Sequence, residues 1–147
     1  MIEERLLAQF ARHFPALAPM IVVREVSTPL TTDYVNLITL RSQQHSIAGT
    51  LVGLRGEPRL VMIDDHKVYV PPARHMLIVR NDDRPGMIGL VGTVLGEAGV
   101  NIADMDVGQS PRGTALMLIA TPDAVPADVI DGLRGAPGIL SVHSLSS

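Results

Sequence analysis

From His75 onward the chain switches between two hydrophobic periods in an order that few folds satisfy. His75–Asn81, centred on Met76-Leu77-Ile78-Val79, reads as a strand. Asp82-Asp83-Arg84-Pro85-Gly86 reads as a loop, and Pro85 suits the first turn of a helix, where its missing N–H is not needed. Met87–Ala98 then carries Met87, Val91, Val94 and Ala98 at helical spacing, with Ile88 and Leu95 alongside, and Gly99 supplies a left-handed stop. Val100–Val107 is a strand pattern, Ser110-Pro111-Arg112-Gly113 a turn, and Thr114–Thr121 a second strand pattern. Pro126–Leu133 is a short helix ended by Gly135 and Pro137-Gly138, and Ile139–Leu145 is the last strand. This βαββαβ order is the split-βαβ, ferredoxin-like arrangement.

The residues before it follow a different pattern. Leu6, Leu7, Phe10 and Phe14 recur at helical spacing over 1–14, and Pro15 and Pro19 end that helix. Met20–Val26 is a β-branched run, and Ser27–Asp33 is a connector of turn residues. Strand patterns follow at Tyr34–Arg41, at His45–Leu54 (broken by Gly49 and Gly53) and at Arg59–Ile63. Asp64-Asp65-His66 forms a hairpin turn into Lys67–Val70. Pro71-Pro72 is a stiff segment and a natural module boundary. The predicted class is therefore α+β, with a small antiparallel-sheet module over 1–72 and a βαββαβ domain over 73–147.

Composition narrows the function. The 46% hydrophobic and 18% charged content describes a chain with a packed core, not a disordered one. Its only aromatic residues are Phe10, Phe14, Tyr34 and Tyr69, too few to build a stacking platform for single-stranded nucleic acid. A net charge of −3 gives no basic excess to displace counterions from a phosphate backbone, so nucleic acid is not an expected partner. The absence of cysteine excludes disulfides, thiol nucleophiles and thiolate metal sites, and fits a cytoplasmic setting. The acidic start Met1-Ile2-Glu3-Glu4-Arg5 leads into no apolar signal core. The longest apolar run, Ala16–Val23, contains Pro19 and is too short to span a bilayer.

Enzyme signatures are missing. There is no Gly-x-Ser-x-Gly elbow, no His-Glu-x-x-His and no phosphate-binding loop. Gly86, Gly89, Gly92, Gly96 and Gly99 do not match a dinucleotide fingerprint and lie in and around a helix instead of a strand-to-helix turn. Gly89, Gly92 and Gly96 form one smooth helix face, which suggests that a sheet or a partner chain packs closely there. His13, His45, His66, His75 and His143 are scattered, none with a ligand at helical i+4 spacing. Asp104 and Asp106 lie on one side of a strand and Asp64-Asp65-His66 at a hairpin tip. Both read better as solvated surface than as a cation site, so no metal and no cofactor is expected.

The informative stretch is Asn81-Asp82-Asp83-Arg84-Pro85-Gly86. It joins a buried strand to a helix N-terminus, whose first N–H groups point into the loop and favour an anion such as a carboxylate. Asp83 places a negative charge beside them, which suits an ammonium; a carboxylate receptor next to an ammonium receptor describes an amino-acid site. Capping of the helix is the commoner use of such an Asp. Asn101, after Gly99-Val100 at the start of the next strand, can donate and accept at once, and reads equally well as a turn residue.

Two stretches, Met76-Leu77-Ile78-Val79-Arg80-Asn81-Asp82-Asp83-Arg84-Pro85-Gly86-Met87-Ile88-Gly89 and Leu95-Gly96-Glu97-Ala98-Gly99-Val100-Asn101-Ile102-Ala103, resemble an ACT domain. The paired motifs Asp-Arg-Pro-Gly and Gly-Val-Asn-Ile-Ala are most similar to the ACT domain that ends bacterial D-3-phosphoglycerate dehydrogenases. Ser46-Ile47-Ala48-Gly49-Thr50 and Glu57-Pro58-Arg59-Leu60-Val61 resemble the intervening, or allosteric substrate-binding, module that precedes it in the long form of those enzymes. The likeness runs from about Tyr34 to Leu145 and is weak over 1–33, so residues 1–72 correspond to a partial module.

The resemblance implies a regulatory function. In that family ACT domains pair, usually side by side, and bind L-serine at the interface as feedback inhibitor. Carried over by position, Asp83 would hold the ligand ammonium within the Asp83-Arg84-Pro85-Gly86 turn. The N–H groups of Met87, Ile88 and Gly89 would face its carboxylate, and Asn101 of a paired chain would complete the site. Asn81 stands where relatives often have His or Tyr, a departure that bears directly on serine binding. Arg59 stands where some relatives carry an anion site, although a second basic position there is taken by Pro71. The catalytic domains of the dehydrogenase are absent from these 147 residues, so the chain is expected to be non-catalytic by itself, as a regulatory fragment or a free-standing sensor. A homodimer or homotetramer is expected, with a catalytic dehydrogenase region or subunit as a further partner. The alternatives are a β-type regulatory subunit of iron–sulfur L-serine dehydratase, and an ACT-like domain kept for oligomerisation alone.

Overall fold

The computed structural model describes residues 25–27, 37–41 and 45–146. The helix expected over 1–14 and most of the Ser27–Asp33 connector lie outside them. The chain divides into two compact units, residues 1–72 and 73–147.

In the first unit, β1 (Glu25–Ser27), β2 (Ile38–Arg41), β3 (Ser46–Val52), β4 (Glu57–Ile63) and β5 (His66–Val70) form an antiparallel sheet in sequence order. Ser27, expected in the connector, is the last residue of β1. Gly49 does not break β3; it pairs with Leu60 next to a register shift in which Val61 of β4 is the extra residue. Gly53 starts the β3–β4 turn, and Asp64-Asp65 turns β4 into β5 with Asp64 at φ 52°. β5 alternates strictly, with His66, Val68 and Val70 buried and Lys67 and Tyr69 exposed, as a half-buried edge strand must.

The second unit contains β6 (His75–Asp82), α1 (Met87–Glu97), β7 (Asp104–Gln109), β8 (Thr114–Thr121), α2 (Ala127–Arg134) and β9 (Ile139–Ser146). Its sheet is antiparallel, in the order β7-β8-β6-β9. This is the ferredoxin-like βαββαβ fold read from the sequence. Leu77 and Val79 of β6, Met117 and Ile119 of β8 and Val142 of β9 share the sheet face that packs on Met87, Val91 and Leu95 of α1 and Ile130 and Leu133 of α2. Each fully buried Leu, Ile, Val or Met side chain contributes roughly 1.5–3 kcal/mol, so this cluster fixes both helices on the sheet.

Three local readings need correction. The buried stripe of α1 is Met87, Val91 and Leu95, whereas Ile88 and Ala98 are exposed. Ala98 is already the C-cap, beyond the last helical residue. The α1 terminus is a Schellman motif: the Gly99 N–H donates to the Gly96 carbonyl (3.0 Å) and the Val100 N–H to the Leu95 carbonyl (2.9 Å). Val100 and Ile102 then pack on the core from a loop, so β7 begins at Asp104 and not at Val100. Pro85 lies outside the helix, because Gly86 at φ 89° is the N-cap and Met87 the first helical residue.

Candidate functional site

The β6–α1 junction is built from the strand outward. Odd-numbered residues of β6 face the helices, and after Leu77 and Val79 the next is Asn81, 2% exposed. Its Nδ2 donates to the Asp82 carbonyl at 2.7 Å, while its Oδ1 is buried without a hydrogen-bond partner. Beyond it, Asp82, Asp83, Arg84, Pro85 and Gly86 are all exposed. The α2–β9 connection and the β7–β8 hairpin hold this loop: Asp82 N–H donates to the Gly138 carbonyl (2.9 Å) and Asp83 N–H to the Gly113 carbonyl (3.3 Å).

The helix end is uncapped. The first bond of α1 runs from the Leu90 N–H to the Gly86 carbonyl (2.9 Å), so the N–H groups of Met87, Ile88 and Gly89 have no partner within the helix. No side chain caps them, and the first turn carries no acid. The capping role open to Asp83 is therefore not the one it takes. Its Oδ1 instead faces Gln109 Nε2 across 3.4 Å, and the carboxylate stays at the surface beside the helix end. Unpaired donors with the positive end of a helix dipole attract an anion, and the adjacent carboxylate attracts a cation.

Arg84 lies over the β9 approach. Its Nε points at Met87 Sδ (3.5 Å), and its guanidinium occupies the space above Gly138, so closely that a Cβ on Gly138 would lie 2.5 Å from Nη2. Asn101 is exposed in the loop before β7, with no hydrogen bond to another described residue. The fold thus brings Asn81, Asp83, Arg84 and the three N–H groups together and leaves Asn101 outside that group within one chain. Gln109, Gly113 and Gly138 also shape the loop. Sequence reasoning missed Gln109, because only the β7–β8–β6 register brings it to Asp83.

The other candidates are elsewhere. Asp104 and Asp106 each accept the N–H of the following residue, both at 2.8 Å. Among the described residues no group of three or more His, Asp or Glu is placed to hold a metal ion. In the first unit Arg59 donates to the Pro58 carbonyl (2.7 Å), faces Glu57 at 3.4 Å and lies 5.7 Å from the Tyr69 ring centroid. An anion at Arg59 would compete with the Glu57 carboxylate. Gly89, Gly92 and Gly96 meet nothing: a Cβ on any of them would have open space, so the sheet does not pack on that face.

Comparison with known proteins identifies the family. Residues 75–141 match the ACT domain family. The chain is 32% identical over 128 residues to a D-3-phosphoglycerate dehydrogenase of Synechocystis sp., a match covering 84% of this chain and 23% of that protein. It is 33% identical over 112 residues to the enzyme of that name from Methanocaldococcus jannaschii (74% and 21%), and 34% identical over 133 residues to that of Mycobacterium leprae (83% and 25%). The chain therefore spans about a quarter or less of the length of these relatives. No helix among the described residues is long and apolar enough to cross a membrane. The second unit is an ACT domain, and the chain is homologous to the regulatory part of D-3-phosphoglycerate dehydrogenases.

Proposed function

We propose that the chain is an amino-acid-binding regulatory module that senses L-serine as a homodimer or homotetramer in the cytoplasm and acts on a dehydrogenase region or subunit. The observation that carries this reading is the uncapped α1 N-terminus with the Asp83 carboxylate beside it and not on it. The N–H groups of Met87, Ile88 and Gly89 receive the ligand carboxylate, and Asp83 receives the ammonium. Asn101 of a second copy closes the site, and Gly89, Gly92 and Gly96 leave room for that copy along α1. The first unit is read as the counterpart of the intervening module. Ligand bound between two copies stabilises one relative orientation, and regulation follows only as far as the ligand's affinity differs between orientations. The dehydrogenase name of the relatives supports this reading over a serine dehydratase subunit.

Calorimetry with L-serine on the 147-residue chain tests it. Binding at millimolar concentration or tighter is expected, lost on Asp83→Ala, with a dimer or larger species by light scattering. No heat at millimolar serine, or a monomer throughout, rejects the proposal.

A further inference from the structure

We infer that Arg134 guards the β9 edge of the second unit: its guanidinium occupies the backbone carbonyl through which a second copy of this chain would add its own strand. The inference is independent of the amino-acid site proposed above. β9 is an outer strand of the order β7-β8-β6-β9. Which of its backbone groups face outward follows from the ladders of β6. The Asp83 N–H donates to the Gly113 carbonyl, in line with β8, and the Asp82 N–H to the Gly138 carbonyl, in line with β9. Backbone groups alternate in direction along an antiparallel strand, so the even-numbered residues of β6 bond to β9. Met76 with Leu145 and Ile78 with His143 are then hydrogen-bonded pairs, and Leu77 and Val79 stand opposite Ser144 and Val142 in non-bonded pairs. The N–H and C=O groups of Val142 and Ser144 therefore face the open edge.

Arg134 ends α2 and reaches that edge. Its Nη2 and Nε both donate to the Val142 carbonyl, at 3.0 and 3.3 Å, and its Nη1 donates to Asp131 Oδ1 at 3.3 Å, which holds the fork from the far side. β9 itself, Ile-Leu-Ser-Val-His-Ser-Leu-Ser, carries no Asp, Glu, Lys or Arg. An uncharged edge strand invites pairing with another chain, and natural sheets block it with a charge, a bulge or a cover. Here the charge comes from the neighbouring helix. Leu140 adds a bulge at one end of the ladder, since Arg80 pairs with Ser141 and Asn81 with Ile139. β7, the opposite edge, carries Asp104 and Asp106 in its own sequence. The occupant that fits the β9 edge is the same strand of a second copy. Two such strands meeting antiparallel bring no like charges together, and Leu140, 55% exposed, supplies apolar surface to bury.

Light scattering on the full chain over a range of concentrations tests this. Arg134→Met keeps the aliphatic stem and removes the charge and the donors. It should add a species of twice the mass of the unmutated chain's own assembly, growing as concentration rises. Ser144→Lys, at an exposed position of the same strand, puts a charge back on the edge, and together with Arg134→Met should return the unmutated mass. An unchanged mass in Arg134→Met at every concentration overturns the inference, as does a doubling that survives Ser144→Lys. If Arg134→Met loses the circular dichroism of the folded chain, Arg134→Ala takes its place with the same outcomes. Loss of the fold in both makes Arg134 a structural staple of α2 and overturns the guard.

Discussion

Gly138→Ala tests the β6–α1 junction most sharply, because two separable costs fall on one methyl group. Gly138 has φ 86°, where an L-residue is strained by roughly 1–2 kcal/mol. The added Cβ would also lie 2.5 Å from Arg84 Nη2, 3.0 Å from Arg84 Nε and 2.9 Å from Met87 Sδ. Arg84 can swing into solvent at little cost. Met87 is 4% exposed and packs in the helix–sheet core, so its sulfur must leave its rotamer or push the first turn of α1 outward. Overpacking of this kind costs about 1–3 kcal/mol, giving roughly 2–5 kcal/mol for the substitution. Gly99→Ala is the matched control, with φ 72° and nothing within 4 Å of its Cβ, and should cost only the backbone strain of roughly 1–2 kcal/mol.

Both glycines lie in the second unit, so one unfolding transition reports on both. Urea denaturation followed by circular dichroism, extrapolated linearly, should place Gly138→Ala below Gly99→Ala by about 1–3 kcal/mol. Adding Arg84→Ala to Gly138→Ala should then cost less than the sum of the single changes, since the guanidinium is one of the groups displaced. Equal losses at Gly138 and Gly99, with strict additivity at Arg84, would refute the placement of Arg84 and Met87 against the β9 approach.

Three further substitutions probe the helix that carries the candidate site. Leu95→Ala empties a fully buried position that also carries the Schellman carbonyl, and should lower stability by about 2–5 kcal/mol in the same urea assay. Gly92→Ala and Gly96→Ala each add a methyl group to a face that is open within one chain, where Ala gains about 0.5–1 kcal/mol over Gly; with a second copy seated along that face, as proposed above, both are expected to weaken dimerisation as read by light scattering.

The elements were readable where local chemistry and packing agree. The second unit's order follows from short apolar runs punctuated by Pro85-Gly86, Gly99, Gly113 and Gly135, and each punctuation mark lies at an element end. The β7 boundary failed because Val100 and Ile102 have strand-like alternation yet serve the core from a loop, once Val100 is drawn back to Leu95 by the helix cap. The α1 stripe failed at Ala98, because periodicity does not say that the helix stops at Glu97, and at Ile88, which is exposed in the first turn. In the first unit, Gly49 looked like a break and instead stays in the ladder opposite an irregularity on β4, a difference that only the partner strand's register decides.

The residues of the candidate site were readable where they are contiguous and not where they are brought together by register. Asn81, Asp83 and the N–H groups of Met87–Gly89 fall within one strand–loop–helix passage, whereas Gln109 and Gly138 reach the loop from other strands. What the sequence left open was whether Asp83 caps the helix or stands free for a ligand, and backbone geometry decides the first half of that. A side-chain cap needs an extended residue at the N-cap, but the N-cap here is Gly86 at φ 89°, a conformation that Ser, Thr or Asp at that position would not adopt without strain. The chain thus forgoes roughly 1 kcal/mol of capping stabilisation at a helix end with an acid three residues away. The donors of α1 remain open because the turn excludes an internal cap, which is the condition a carboxylate arriving from solution requires.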